Sequence, residues 1–288
     1  MLDTSDFDSV IEFATWYRAK HNTLTYLVNN AGILYLTEKV GTCPDNPLRS
    51  KQGYDLAFAT NYLGHFLLTE LLLPLLKKSN DARIVQVASS AHYQVDGSEL
   101  RTDGTSPPIA SRSDVYTLSH WVNSYGNNKL AQILHATQLQ RIINSEAHCR
   151  PPNLKVVSVC PGFVGSNMVP KGPIGKFLAA RFFSCEASVL CVMHALFSES
   201  ILGGEFITNF YDFWTDSLLG RTIFDLAVLC GLRSIFMASI AVPWVMTFQH
   251  CTYGVHTSTP SSAARDENLA ECLYAWSMKQ IETYRHSQ

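Results

Sequence analysis

Charged residues are scarce in this chain. Only 16% of its 288 residues are Asp, Glu, Lys or Arg, against an average share of about 25% in soluble domains. Lys and Arg number 22 and Asp and Glu 24, for a formal net charge of −2. This balance excludes a general nucleic-acid-binding protein, because contacts to phosphates need a basic surface. The hydrophobic share of 47% excludes extensive disorder, and the length suits one large α/β domain or two small ones.

Signals of secretion and of metal binding are also missing. The eight cysteines form no Cys-x-x-Cys pair and show no metal-ligand spacing, and no Asn-x-Ser/Thr sequence occurs. Residues 1–13 are acidic and contain no basic region followed by an apolar run, so they do not predict a cleavable signal peptide. We therefore expect an intracellular protein with reduced thiols and no metal site, in the cytoplasm or on an intracellular membrane.

Apolar residues alternate between helical and strand-like spacing. Helical spacing predicts three helices, over residues 5–20, 55–78 and 123–143. Thr4 or Ser5 is the expected N-cap of the first. Short β-rich runs predict three strands, over residues 24–28, 83–88 and 154–159. Residues 96–113, rich in Ser, Gly and Pro, are expected to be a surface loop. The alternation indicates an α/β fold with a doubly wound parallel sheet, in which ligands bind beyond the carboxyl ends of the strands.

The segment over residues 218–248 is unusually apolar. No Asp, Glu, Lys or Arg occurs from Ser234 to Ala264, and Pro243 interrupts the run. Its length leaves three readings open: a buried or dimer-forming helix, insertion into a membrane surface, and a spanning helix. Beyond it, residues 266–284 predict an amphipathic helix, with four inward side chains: Leu269, Leu273, Trp276 and Ile281.

Tyr125 and Lys129 are four residues apart in the predicted helix 123–143, so their side chains share one face. A phenol titrates near pH 10, and a nearby positive charge that favours the phenolate suits it for acid/base chemistry at neutral pH. Ser89 and Ser90 end a predicted strand upstream, and Pro161-Gly162 follow another downstream. A hydroxyl at a strand end can hydrogen-bond a substrate carbonyl and polarise it toward hydride attack.

Five motifs occur in one order over most of the chain. They are Asn29-Asn-Ala-Gly32, Asn61-Tyr-Leu-Gly-His-Phe66, RIVQVASSAH from Arg83 to His92, Tyr125-x-x-x-Lys129 and Pro161-Gly-Phe-Val-Gly-Ser166. With them the chain, from Leu2 to about Phe206, resembles the short-chain dehydrogenase/reductase family, and most closely the branch of the retinol dehydrogenases and the WW-domain-containing oxidoreductase. The resemblance implies a Rossmann-like fold and an NAD- or NADP-dependent interconversion of an alcohol and its ketone or aldehyde.

The resemblance also implies roles for the motif residues. Tyr125 would exchange a proton with the substrate oxygen, while Lys129 would lower the pKa of Tyr125 and hold the nicotinamide ribose hydroxyls. Ser89, with Ser90 as the fallback, would orient the substrate carbonyl, and Asn61 would anchor the water of a proton relay to Lys129. The remaining implied cofactor contacts are Asp3 at the adenine, Asn29, Ala31 and Gly32 on the adenosine side, and Pro161, Gly162, Val164 and Ser166 at the carboxamide.

One part of the family pattern is missing. The sixteen glycines include no G-x-x-x-G-x-G and no G-x-G-x-x-G, the turn whose backbone N–H groups bind the cofactor pyrophosphate. We therefore expect the fold to lack its first βαβ unit, to expose an unpaired strand edge and to bind NAD(P)(H) weakly. Two functional readings follow: a dehydrogenase, or a noncatalytic fragment or pseudoenzyme that acts as an interaction protein.

The expected organisation has three parts. Residues 1–210 would form the truncated Rossmann-like domain, 211–260 an apolar extension able to contact a membrane, and 261–288 a helix that packs on the domain. The expected partners are a small hydrophobic alcohol or carbonyl substrate, a membrane surface and a second copy of the chain. The resemblance implies that a homodimer would pair through the predicted helices 55–78 and 123–143. The choice between NAD and NADP stays open.

Overall fold

The computed structural model describes residues 1–34, 49–102, 105–111, 118–146, 153–162, 164, 184–210 and 253–287. The helices are α1 (Phe7–Lys20), α2 (Leu56–Leu76), α3 (Leu118–Ser145), α4 (Cys185–Ser188), α5 (Leu190–Phe197) and α6 (Glu267–His286). The strands are β1 (Tyr26–Asn29), β2 (Ala82–Val87), β3 (Leu154–Cys160), β4 (Phe206–Phe210) and β5 (Tyr253–Ser258). All the predicted helices and strands that fall in these ranges are confirmed, with ends shifted by a few residues.

The strands form one sheet in the order β1-β2-β3-β4-β5. The pairs from β1 to β4 are parallel, and β5 runs antiparallel to β4. Every residue of β2 is buried, which is typical of a parallel strand covered by helices on both faces. Within the described ranges β1 pairs with β2 alone, and its Tyr26 and Val28 side chains are exposed.

Helices cover both faces of the sheet. On one face Ile84 and Val156 pack with residues of α2 and α3, including Leu139. On the other face their strand neighbours Val85 and Val157 pack with apolar side chains of α5. This division follows from the alternation of side chains along a strand. The predicted α/β fold with a mostly parallel, Rossmann-like sheet is confirmed.

Helix α1 is capped by Asp6, and not by Thr4 or Ser5 as predicted. The Asp6 carboxylate accepts a hydrogen bond of 3.1 Å from the Asp8 N–H, so it satisfies one of the unpaired donors of the first turn. Ser5 instead donates its N–H and hydroxyl to Asp3. The apolar side of the helix, including Phe7 and Val10, packs into the core as predicted.

Helix α2 contains a feature that the sequence pattern did not predict. Its α-helical ends, Leu56–Phe58 and Gly64–Leu76, flank a π-helical turn over Ala59–Leu63. Such turns in helices are rare and are frequently found at functional sites. Asn61 lies within this turn and is fully buried. The turn therefore determines where the Asn61 carbonyl and amide point.

The C-terminal part of the described chain packs against the sheet and its helices. The predicted helix over 266–284 is observed as α6, and its four predicted inward side chains are buried. Residues 253–258, at the end of the predicted apolar extension, form β5 and join the sheet. Residues 218–248 lie outside the described residues. The loop over 96–113, predicted to lie on the surface, contributes three buried side chains to the core: Leu100, Ile109 and Ala110.

Among the described residues, α2 is the one helix whose length and apolar composition would suffice to cross a membrane. Of its most apolar window, 72% is buried inside the fold. The core helix of a soluble protein meets the same criteria, so α2 is weak evidence for a membrane span.

Candidate active site

The candidate site lies where three parallel strands end. The Asn29–Gly32 turn follows β1, Ser89 and Ser90 follow β2, and Pro161-Gly162 follow β3. Parallel strands bring these carboxyl ends to one edge of the sheet, which is where open α/β sheets bind ligands. Helix α3 contributes Tyr125 and Lys129 beside the end of β2.

Ser89 holds the turn that follows β2. Its extended backbone makes it the N-cap of a 3₁₀ turn over Ser90–Gln94, and its Oγ accepts a hydrogen bond of 3.2 Å from the Ala91 N–H. The side chains of Ser89 and Tyr125 are hydrogen-bonded to each other. Ser90 instead directs its N–H to the Cys160 sulfur, at 3.1 Å. Of the two candidate serines, Ser89 is therefore the one placed against the phenol.

Lys129 lies one helical turn from Tyr125. Its Nζ is 5.5 Å from the centre of the Tyr125 ring, and it donates hydrogen bonds to the Val87 carbonyl at 2.7 Å and to Gln132 Oε1 at 2.9 Å. Lys129 is buried and Tyr125 is partly buried. The structure thus brings Ser89, Tyr125 and Lys129 together, as the motif spacing predicted.

The pKa of the phenol departs from the direction that the sequence analysis expected. Burial raises the pKa of Tyr125, Cys160 adds to the increase, and the hydrogen bond from Ser89 opposes it. Lys129 is not among the causes of this shift, and burial is the largest of them, because a buried phenolate loses its hydration. Burial also lowers the pKa of Lys129 to about 8, against an opposing effect of Cys160. Lys129 therefore stays mainly protonated at pH 7.

Asn61 binds the chain that follows β1. Its Oδ1 accepts from the Ile33 N–H at 2.8 Å, and its Nδ2 donates to the Ile33 carbonyl at 2.9 Å. A Cβ atom at Gly32 would lie 3.4 Å from Asn61 Oδ1, so the turn approaches Asn61 closely. The Asn61 carbonyl lies 3.0 Å from His65 Nδ1. The Asn61 amide is thus used to hold the turn, and its main-chain oxygen faces the interior.

The predicted adenosine-side residues differ in accessibility. Asn29 is buried, and its Nδ2 donates to Thr69 Oγ1 at 2.9 Å. This hydrogen bond links the end of β1 to helix α2. Ala31 and Gly32 are exposed and can be approached by a ligand. Asp3 is exposed and accepts hydrogen bonds from Ser5 in a local turn.

The predicted carboxamide-side residues follow β3. Pro161, Gly162 and Val164 are partly buried. Gly162 has a φ of 82°, a left-handed conformation that favours glycine. Ser166 lies outside the described residues.

Two buried residues of the site were not identified from the sequence. His92 accepts from the Ser261 N–H at Nε2, at 3.1 Å, so its proton is on Nδ1, which lies 2.7 Å from the Ser89 carbonyl. Gln132 binds Lys129 directly. The sequence contains a pattern that could have indicated each of them. His92 ends the Ser-Ser-Ala-His motif, and Gln132 is three residues beyond Lys129, on the same helix face.

Comparisons with known proteins find similarity to short-chain dehydrogenases. Residues 1–98 match the short chain dehydrogenase family. The chain is 33% identical over 189 residues to short-chain dehydrogenase TIC 32 A, chloroplastic, of Brassica napus (63% of this chain, 52% of that protein). It is 33% identical over 190 residues to polyprenol dehydrogenase of Danio rerio (62% and 51%), and 32% identical over 170 residues to retinol dehydrogenase 12 of Bos taurus (58% and 45%). The chain thus spans about half the length of the curated relatives it matches.

Solved structures share the fold. A structure of an uncharacterized protein from Mycobacterium Paratuberculosis aligns with a TM-score of 0.58 at 23% identity, over 96% of this chain and 73% of that one. A short chain dehydrogenase from Burkholderia cenocepacia, solved in complex with NADP, aligns with a TM-score of 0.50 at 21% identity, over 72% and 73%. By the family match over residues 1–98 and by the curated relatives, the chain is therefore similar to the short-chain dehydrogenase/reductase family.

Proposed function

We propose that the chain carries the catalytic site of an oxidoreductase that interconverts a hydrophobic alcohol and its ketone or aldehyde with NAD(P)(H). The observation that carries the proposal is the meeting of Ser89, Tyr125 and Lys129 at the carboxyl ends of β2 and β3, with Tyr125 hydrogen-bonded to Ser89 and next to Lys129. This set contains a proton donor, a carbonyl-orienting hydroxyl and a fixed positive charge.

Each side chain has a separate role in the proposed reduction. NAD(P)H, when bound, supplies the hydride to the carbonyl carbon. Ser89 donates a hydrogen bond to the carbonyl oxygen and orients it. Tyr125 gives its phenolic proton to that oxygen, and its raised pKa keeps it protonated at neutral pH. Lys129 stabilises the phenolate that remains. In the oxidation direction the phenolate takes the proton back.

The residues present fit the nicotinamide and ribose portion of such a cofactor. The Lys129 ammonium has three N–H groups and donates two of them to described residues, so among these residues one is left for a ribose hydroxyl. Pro161 and Gly162 lie at the end of the neighbouring strand β3, where they would line the carboxamide, with Val164 and Ser166 beyond them. Ala31 and Gly32 are exposed beside Asn61 and would line the adenosine side together with Asn29 and Asp3.

The proposed substrate class is a small or chain-like hydrophobic alcohol or carbonyl compound. Support comes from the names of two related proteins, retinol dehydrogenase 12 and polyprenol dehydrogenase. An intracellular location is part of the proposal: Cys160, Cys185, Cys191 and Cys272 have free thiols in the described residues, as is usual in reducing compartments. Association with a membrane surface and pairing into a homodimer stay predictions.

The test uses the 288-residue chain. NADH and NADPH are titrated by fluorescence, and reduction of decanal is followed by the loss of absorbance of the reduced cofactor. We expect saturable binding that is lost in a Tyr125→Phe, Lys129→Ala double variant, and retained in Lys279→Met, which changes an exposed lysine of α6. We also expect turnover that requires Tyr125.

Two outcomes would overturn the proposal. One is a folded, monodisperse chain that binds neither cofactor, which would favour the noncatalytic interaction protein. The other is decanal reduction at an unchanged rate in Tyr125→Phe, which would move the acid/base role to a different group.

A further inference from the structure

A continuous line of polar groups connects Lys129 with the π-helical turn of α2. Lys129 Nζ donates to Gln132 Oε1 at 2.9 Å, and Gln132 Nε2 lies 3.4 Å from His65 Nδ1. His65 Nδ1 in turn lies 3.0 Å from the Asn61 carbonyl. All four residues are buried. The π-helical turn over Ala59–Leu63 places the Asn61 carbonyl at the end of this line.

Gln132 accepts one of the hydrogen bonds that the Lys129 ammonium donates. An ammonium has three N–H groups and no acceptor. The Val87 carbonyl receives one N–H at 2.7 Å and Gln132 the second, which directs the third away from both. Two acceptors from different elements, strand β2 and helix α3, therefore determine the position of Nζ. Removal of either would let the four-carbon side chain adopt other rotamers.

Among the described residues, the titratable side chains that face Lys129 are Tyr125 on its own helix, Cys160 at the end of β3 and His65 on α2. Burial, with a contribution from Lys129, lowers the pKa of His65 to about 4, so His65 is neutral at pH 7. No carboxylate is among these groups in the described residues, and the Gln132 amide supplies a neutral acceptor in a buried place.

We propose that Gln132 is a positioning residue of this site, whose amide holds the Lys129 ammonium against the Val87 carbonyl. This inference rests on the proposed function of Lys129. A side-chain amide does not gain or lose protons near neutral pH, so Gln132 acts on the position of Lys129 and takes no part in proton transfer itself.

The test compares three variants of the 288-residue chain. Gln132→Met keeps the size and apolar stem but removes the acceptor, Gln132→Glu keeps an acceptor and adds a negative charge, and Gln138→Met makes the first change at a partly buried position of the same helix. Lysine labelled with ¹³C and ¹⁵N reports the Lys129 side chain by NMR, with its signal assigned by loss in Lys129→Arg. Measurements are made without cofactor, over a range of pH.

The expected result is a pair of opposite shifts. The Lys129 titration should move to lower pH in Gln132→Met, because the ammonium loses a hydrogen bond, and to higher pH in Gln132→Glu, because the new carboxylate favours the charge. Gln138→Met should leave it unchanged. With decanal and NADPH, Gln132→Met should lower kcat about tenfold or more, the size expected for one hydrogen bond to a charged group, with a smaller change in KM.

Different results would overturn the positioning role of Gln132 and the proposed function. A Lys129 titration that is the same in both folded Gln132 variants and in the unsubstituted chain would overturn the positioning role, whatever the cofactor does. If Gln132→Met does not fold, Gln132→Glu decides: an unchanged or lowered titration midpoint overturns the role. Absence of cofactor binding by the unsubstituted chain would overturn the proposed function, and the NMR titration could still be read.

Discussion

The Lys129 ammonium lies 5.5 Å from the centre of the Tyr125 ring, one turn further along the same helix. Two neighbouring acceptors, Val87 and Gln132, keep it there. At this distance the positive charge opposes the cost of forming a buried phenolate. Because burial raises the pKa of Tyr125, the phenol is a proton donor at neutral pH, and the charge matters most once its proton has left.

Tyr125→Phe is expected to lower kcat for decanal reduction by about 10²- to 10⁴-fold, the range for loss of a positioned general acid. The substitution removes the hydroxyl that is bonded to Ser89 and leaves the ring. The measurement is the initial rate at saturating NADPH, with circular dichroism as a check of the fold. Tyr17→Phe, on the partly exposed side of α1, is the matched control. A rate within threefold of the unsubstituted chain would contradict the assignment.

Gly126→Ala is expected to destabilise the protein, although alanine favours helix by about 1 kcal/mol. A Cβ at position 126 would lie 2.8 Å from the Ala91 carbonyl oxygen and 2.9 Å from Val95 Cγ1. Overpacking of this kind typically lowers the free energy of unfolding by about 1–3 kcal/mol. The Ala91 carbonyl oxygen belongs to the backbone, so it cannot avoid the new Cβ by a change of rotamer. Because the clash separates α3 from the turn after Ser89, activity should fall as well.

Urea unfolding measures the effect of this clash. The matched control is Gly254→Ala, where a new Cβ would meet nothing within 4 Å. Equal stability of the two variants would show that α3 can move away from the 3₁₀ turn at little cost.

Stability is expected to fall steeply on acidification below about pH 6.5. Burial lowers the pKa of His65 to about 4 and that of His135 to about 3, whereas both titrate near 6.5 in the unfolded chain. The unfolded state therefore binds more protons in this window. Each histidine contributes a loss of about 1.4 kcal/mol per pH unit, from about pH 6.5 down to its folded pKa.

Urea unfolding at pH 7, 6 and 5 tests this dependence. His135 packs among the rings of Phe66, Tyr62 and Tyr274, so His135→Leu should remain folded and lose its part of the acid sensitivity. If the unfolding free energy of His135→Leu falls with pH as steeply as that of the unsubstituted chain, groups other than His135 cause the loss of stability.

Leu273→Ala is expected to cost about 2–5 kcal/mol of unfolding free energy, the usual range for a buried leucine. Leu273 is 1% exposed and lies in the core cluster that α6 shares with α1, α2 and α3. Glu271→Ala, at an exposed position of the same helix, should change stability by no more than about 0.5 kcal/mol. A change for Leu273→Ala as small as that for Glu271→Ala would show that α6 contributes little to the fold.

Much of the fold follows from local patterns. The 3.6-residue spacing of apolar side chains predicted α1, α2, α3 and α6, and the β-rich runs predicted β1, β2 and β3. Strands β4 and β5 were not predicted, because their pairing with each other joins segments that are distant in the sequence. The N-cap of α1 was misplaced by one or two residues because Thr4, Ser5 and Asp6 are all suitable capping residues, and only the backbone geometry selects Asp6.

The sequence by itself determined which chemical groups the site could contain. The order of the motifs and the spacing of four between Tyr125 and Lys129 place a phenol, an ammonium and a serine hydroxyl on elements that end together in a parallel sheet. The direction in which the pKa of Tyr125 shifts was decided by tertiary structure, since burial depends on how the chain packs around the ring. The same holds for the contacts of Lys129 with Val87 and Gln132 and for the π-helical turn at Asn61. Distances between side chains on different elements are set by packing, and local sequence preference carries no information about them.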